Sequence, residues 1–157
     1  MDTFDVFPEQ ELKLMFPGLA TTPFEIKSKR TSDYNCIAWV AGEDFRWWWP
    51  DAMNQKYWPD GVTRQATLEA FIEAFATLGY EPCASGDLEQ TFEKIAIYIG
   101  ASGMVSHAAF QLTDGRWASK LGLLHDIYHV LEGLAGHRGR SYGNVAQFLR
   151  RAKKVNK

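Results

Sequence analysis

The sequence predicts an α+β domain, and three observations predict it. Residues 67–79, "TLEAFIEAFATLG", carry apolar side chains at helical spacing. "EKIAIYIG" and "GMVSHAAFQL" alternate as strands do. The order along the chain is helices first, a small antiparallel sheet next and a helical end. A length of 157 residues suits one domain, 1–157, with a real core.

Each element has its own signal. A short helix over 10–16 stops at Pro17-Gly18, and residues 19–32 read as an irregular arm. "SDYNCIAWVAG" has possible caps at Ser32 and Asp33 and a terminating Gly42, so a helix over 35–41 fits. "EDFRWWWPDAMNQKYWPDG" has prolines, aromatics and no period, and reads as a long ordered loop. In the next helix Leu68, Phe71, Ile72, Phe75 and Leu78 form a core stripe, Thr67 caps the start and Gly79 marks the end. "TDG" turns the chain between the second strand and a shorter third, "RWASKLG". "LLHDIYHVLEGLAG" and "YGNVAQFLRRAKK" supply the expected helical end.

Composition excludes several classes. A net charge of -2 argues against a dedicated nucleic-acid binder, and the basic "RRAKKVNK" reads as a solvated helix end and tail. No apolar run is long enough to span a membrane, and the start lacks the basic-then-apolar pattern of a leader. A cytoplasmic protein, or one exported by a route that needs no leader, is expected. Two cysteines, Cys36 and Cys83, allow one disulfide but form no disulfide framework. Cys83, in "EPCASG", reads as a bystander.

Cys36 is the residue with chemistry to offer. It opens a helix, where the first free backbone N–H groups stabilise a thiolate. A strand histidine, His107, with the small neighbours Ser106 and Ala108, is the natural proton acceptor. In that strand Val105, His107, Ala109 and Gln111 are expected on one face, and Met104, Ala108, Phe110 and Leu112 on the other.

"YNCIAWV" resembles the "YDCSGLV" signature of the NlpC-type cell-wall peptidases, a branch of the papain-like cysteine hydrolases. "HAAFQLTDGRWASKLG" is similar to that family's second block, a histidine strand, a turn and a short strand bearing a polar third residue about twelve places on. The likeness covers 34–42 and 94–122. It implies a papain-like (NlpC-like) fold, with the nucleophile helix packed on a small antiparallel sheet and a helical C-terminus. It further implies Cys36 as nucleophile, His107 as base, Tyr34 shaping the oxyanion site and Ser119 holding the His107 ring, with Asp126 or His129 as alternatives to Ser119. The sequence is also similar to small bacterial proteins of unassigned function with a comparable YNC and Trp-rich loop.

The expected activity is that of a cysteine peptidase or amidase. A peptide, isopeptide or side-chain amide would pass through a Cys36 thioester, with no cofactor and a peptide or protein as partner. Trp47, Trp48, Trp49 and Trp58 either fill the gap between layers or wall a substrate site. Two alternatives stand beside this reading. One is a non-catalytic protein- or glycan-binding module using the Trp loop. The other is a zinc hydrolase, because "HDIYH" would place His125 and His129 on one helix face beside Asp126, although His137 does not supply a third ligand at the zinc-protease spacing.

Overall fold

The structure, a computed structural model, describes residues 8–154. The first part, 1–7, of the segment read for a leader, 1–16, and the end of the basic tail, 155–157, lie outside the described residues.

The chain builds one seven-stranded sheet with all pairings antiparallel. In chain order the strands are β1 (Phe24–Ile26), β2 (Glu81–Cys83), β3 (Phe92–Ile99), β4 (Val105–Gln111), β5 (Trp117–Lys120), β6 (Asp126–His129) and β7 (Asn144–Ala152). Their order across the sheet is β1-β6-β5-β4-β3-β7-β2. Among the described residues three short α-helices accompany them: α1 (Pro8–Met15), α2 (Cys36–Val40) and α3 (Leu68–Ala76). Two single-turn 3-10 helices lie at Pro17–Ala20 and Leu131–Gly133.

This architecture overturns the papain-like arrangement with a helical C-terminus. "HDIYH" is not helical: β6 pairs with β5 on one side and β1 on the other. "YGNVAQFLRRA" is a strand, paired with β3 from Phe92↔Ala152 to Ile99↔Asn144 and with β2 on its other edge. Ala146, Gln147, Leu149 and Arg150 are good helix formers, but propensity is a weak prior against two ladders of hydrogen bonds. Its side chains alternate, Leu149 into one core and Phe148 against the other. Gly143 enters the strand at φ +88, and a Cβ there would lie 1.9 Å from the Ile99 carbonyl oxygen, so only glycine fits. The three-residue strands β1 and β2, in segments read as an arm and a loop, are edges too short to carry a period.

The other expected elements form. Thr67 caps α3 by accepting from the Ala70 N–H at 3.2 Å, and Gly79 leaves it at φ +94. The β4–β5 hairpin closes through Leu112 N–H to Arg116 O at 2.7 Å. The cap of α2 is Asn35, however, not Ser32 or Asp33.

Each face of the sheet buries its own core. On one, α2, α3 and the Trp loop cover Ile95, Ile97, Ala108 and Leu149. On the other, α1 and the first 3-10 helix cover Ala96, Tyr98, Ala109, Trp117 and Ile127. Phe71 and Phe75 of α3 are fully buried, and Trp49 and Trp58 meet Phe71 edge-on at 5.4 and 4.9 Å. Trp48 and Trp58 are therefore core residues, as filling between layers requires, while Trp47 and Trp49 stay half-buried. No helix among the described residues is long and apolar enough to cross a membrane.

Candidate active site

β4 and β5 pair only through Phe110↔Ala118 and Gln111↔Trp117. Toward the start of β4 the strands part, and the candidate residues gather at that parting. Tyr98 lies opposite His107, and Ile97 opposite Ala108. Paired side chains share a face, so His107 projects with Tyr98 and Ala108 projects toward α2. Val105 departs from the simple alternation: the register shifts at Tyr98/Ile99, and Val105 joins the α2 core.

His107 starts a hydrogen-bonded row. Its Nε2 lies 2.9 Å from Ser119 Oγ, Ser119 Oγ lies 2.7 Å from His129 Nε2, and His129 Nδ1 lies 2.7 Å from the Val130 carbonyl oxygen. All three side chains are fully buried. Burial holds the His129 pKa down to about 4 and that of His107 well below its usual 6.5, so both rings are neutral near pH 7. The proton positions then follow from the valences. A carbonyl only accepts, so His129 Nδ1 carries the hydrogen and its Nε2 accepts from the Ser119 hydroxyl. Ser119 Oγ in turn accepts from His107 Nε2–H. His107 Nδ1 is left with a bare lone pair, buried and without a hydrogen-bond partner. A lone pair that meets no donor is costly to bury, and such exceptions call for an explanation.

Tyr142 roofs this histidine. The two rings stack with centroids 4.0 Å apart and planes 4° from parallel. Tyr142 also lines a cavity of about 460 Å³ together with Cys36, Trp47, Trp49 and Ser106. Cys36 is 8% exposed at its floor. Burial pushes its thiol up to about 11, against the N–H groups of Ala108, Ile37 and Cys36 itself and the charge of Lys120. The resting site thus pairs a protonated thiol with a neutral imidazole. The two reach the strand parting from opposite faces of the sheet and are not hydrogen-bonded to each other.

Asn35 fixes the start of α2 to the Trp loop. Its Oδ1 accepts from Ala38 N–H and Trp48 N–H, both at 3.1 Å, and its Nδ2 donates to Trp48 O at 2.8 Å. An aspartate could not make the last bond. Trp47 is tied back through Nε1 to Ser32 O at 2.7 Å. Trp47 and Trp49 line the cavity, whereas Trp48 and Trp58 do not.

Tyr34 packs against the core that contains Cys36, and its hydroxyl is engaged by Asp126. Its hydroxyl donates to Asp126 Oδ2 at 2.9 Å, and its ring lies 5.2 Å from Lys120 Nζ. Asp126 is thereby committed to Tyr34, whereas His129 extends the row through Ser119. Lys120 is fully buried and donates to the carbonyls of Thr31 and Gly122. Burial lowers its ammonium to about 8.

The zinc reading loses its premise, because His125 and His129 flank a strand. Four residues of strand span about 13 Å, far beyond what two ligands of one ion allow. No group of three or more metal-binding side chains occurs among the described residues. Sequence reasoning missed Tyr142 and the structural role of Asn35. The one trace of Tyr142 was an aromatic placed directly before a glycine in an otherwise small, polar loop.

Residues 25–150 match the model of DUF7689, a domain of unknown function. The chain belongs to that family. No curated protein and no solved structure matches it.

Proposed function

We propose that this DUF7689 protein is a cysteine-dependent amide hydrolase or acyl transferase acting on a peptide, isopeptide or side-chain amide. The observation that supports the reading is the His129–Ser119–His107 row, which leaves His107 Nδ1 unprotonated, buried and without a hydrogen-bond partner. As substrate enters, His107 Nδ1 takes the thiol proton and Cys36 Sγ attacks the carbonyl carbon. The tetrahedral adduct collapses, the C–N bond breaks, and the amine leaves with the proton from His107. Water, or a second amine, then attacks the thioester, gives its proton to His107 and releases the acyl group, restoring the thiol. Ser119 and His129 act as positioning residues that keep Nδ1 free of its proton. The site of action is the cytoplasm, where the unbridged Cys36 and Cys83 stay reduced.

The test is trapping with a peptidyl chloromethyl ketone, whose alkylation of the thiol forms a stable thioether with loss of chloride, read by intact mass and peptide mapping. Wild type should carry one adduct on Cys36 and Cys36→Ala none. Adduct formation on Cys83 alone sinks the proposal. A second reading, a binding module, is favoured by the high thiol pKa and the absence of a Cys36–His107 bond. It predicts a filled cavity with no covalent adduct.

A further inference from the structure

Two lysines are fully buried among the described residues, Lys94 and Lys120. A buried ammonium normally has a carboxylate beside it, because a bare charge is costly to take out of water. Lys94 follows this rule, with Glu89 at 2.7 Å. Lys120 does not: none of the ion pairs among the described residues includes it. Asp126, its partner across the β5–β6 ladder, gives Oδ2 to the Tyr34 hydroxyl instead. Lys120 Nζ donates to the carbonyl oxygens of Thr31, at 2.7 Å, and Gly122, and it lies 5.2 Å from the Tyr34 ring. These contacts all border Cys36. Thr31 and Tyr34 belong to the segment that leads into α2, and Gly122 lines the Cys36 cavity.

We propose that the Lys120 ammonium is the counter-charge of the Cys36 thiolate, so that the reactivity of Cys36 follows the charge state of Lys120. Lys120 acts through Cys36 and is a positioning residue. The inference does not depend on the hydrolase reading, because it concerns the ionisation of the thiol, which a binding module would share. The charged groups around the pair are few. Asp126 on β6 and Asp33 before α2 favour the ammonium, and so does a Cys36 thiolate. The phenols of Tyr34 and Tyr142, both raised by burial, stay protonated. Of these groups Lys120 alone titrates near pH 8. Below that pH the ammonium favours the thiolate; as the pH rises through about 8 it loses its proton and that support disappears.

The experiment is alkylation of the full chain by iodoacetamide, followed at Cys36 by peptide mapping from about pH 6.5 to about pH 9.5. Only the thiolate displaces iodide, so an isolated thiol below its pKa gains about tenfold in rate per pH unit. In wild type the rise should flatten around pH 8 and then resume. Lys120→Met should rise without a break and should be about tenfold slower than wild type at pH 7. The two rates should converge as the pH passes 9. Lys120→Arg, which keeps its charge throughout, should keep the fast rate at pH 7 and show no break. A wild-type rise that runs straight through pH 8 overturns the inference, and it does so whether or not Lys120→Met folds. A ratio of wild type to Lys120→Met that stays constant across the pH range also overturns it, because a lysine that merely ties Thr31 to Gly122 would act equally at every pH. If the break is present but the chloromethyl ketone leaves Cys36 unmodified, the hydrolase reading falls and the coupling of Lys120 to the thiol stands.

Discussion

The two faces of the sheet are built on different chemistry. The face under α2 and α3 is almost wholly apolar, with Phe71, Phe75, Trp48 and Trp58 in close contact, and it supplies the thiol. The opposite face buries a polar row, His107, Ser119 and His129, within an otherwise apolar core, and it holds the imidazole with the unpartnered Nδ1. The contrast teaches that packing and chemistry are divided here by the sheet itself. One face should therefore fail in stability when altered, and the other in reactivity or pH response.

The largest effect is expected on the polar face. His107→Gln should slow acylation of Cys36 by about 100- to 10,000-fold, the usual worth of a positioned general base, while thermal unfolding shows the fold retained. An unchanged rate of adduct formation would remove His107 from the mechanism. The apolar face should break differently. Phe71→Ala, at a fully buried ring touched by two tryptophans, should cost about 3–5 kcal/mol in urea unfolding. A loss below about 1 kcal/mol would mean the Trp loop does not depend on this packing.

The smallest effect sharpens the contrast most. His107 and His129 have pKa values lowered in the folded protein and near 6.5 in the unfolded chain. The unfolded state therefore takes up more protons once the pH drops through 6.5. Their contribution is fully present above pH 6.5 and is lost as pH falls toward about 4. Asp126, raised by burial, opposes this at the acid end. The slope of unfolding free energy against pH should approach two protons between pH 6.5 and 5 in wild type, and one in His107→Gln. A flat profile in wild type would show that the row is not buried and neutral.

Much of this was legible in the chain. The stripe of α3, its Thr67 cap and the alternation of β3 and β4 are local signals, and local signals survive folding. The twelve-residue step from His107 to Ser119 came from the family resemblance, and the contact it implies forms because a tight hairpin fixes the register on both its strands. β7 was not, because its helix formers are overruled by partners far away in sequence. Nor was the split of the Trp loop, since neighbouring tryptophans differ only in what they pack against. That Cys36 and His107 approach from opposite faces depends on where two strands separate, which no residue type announces.

β7 has a consequence for synthesis on the ribosome. Among the described residues it is the last strand in chain order, yet it lies between β3 and β2, inside the sheet. Until residues 144–152 emerge, β3 presents an open edge carrying Ile95 and Ile97, and β2 has nothing to pair with. The nascent chain should accordingly stay unable to close its sheet until residues 144–152 have emerged, and an arrest shortly before β7 leaves a template for association with other chains.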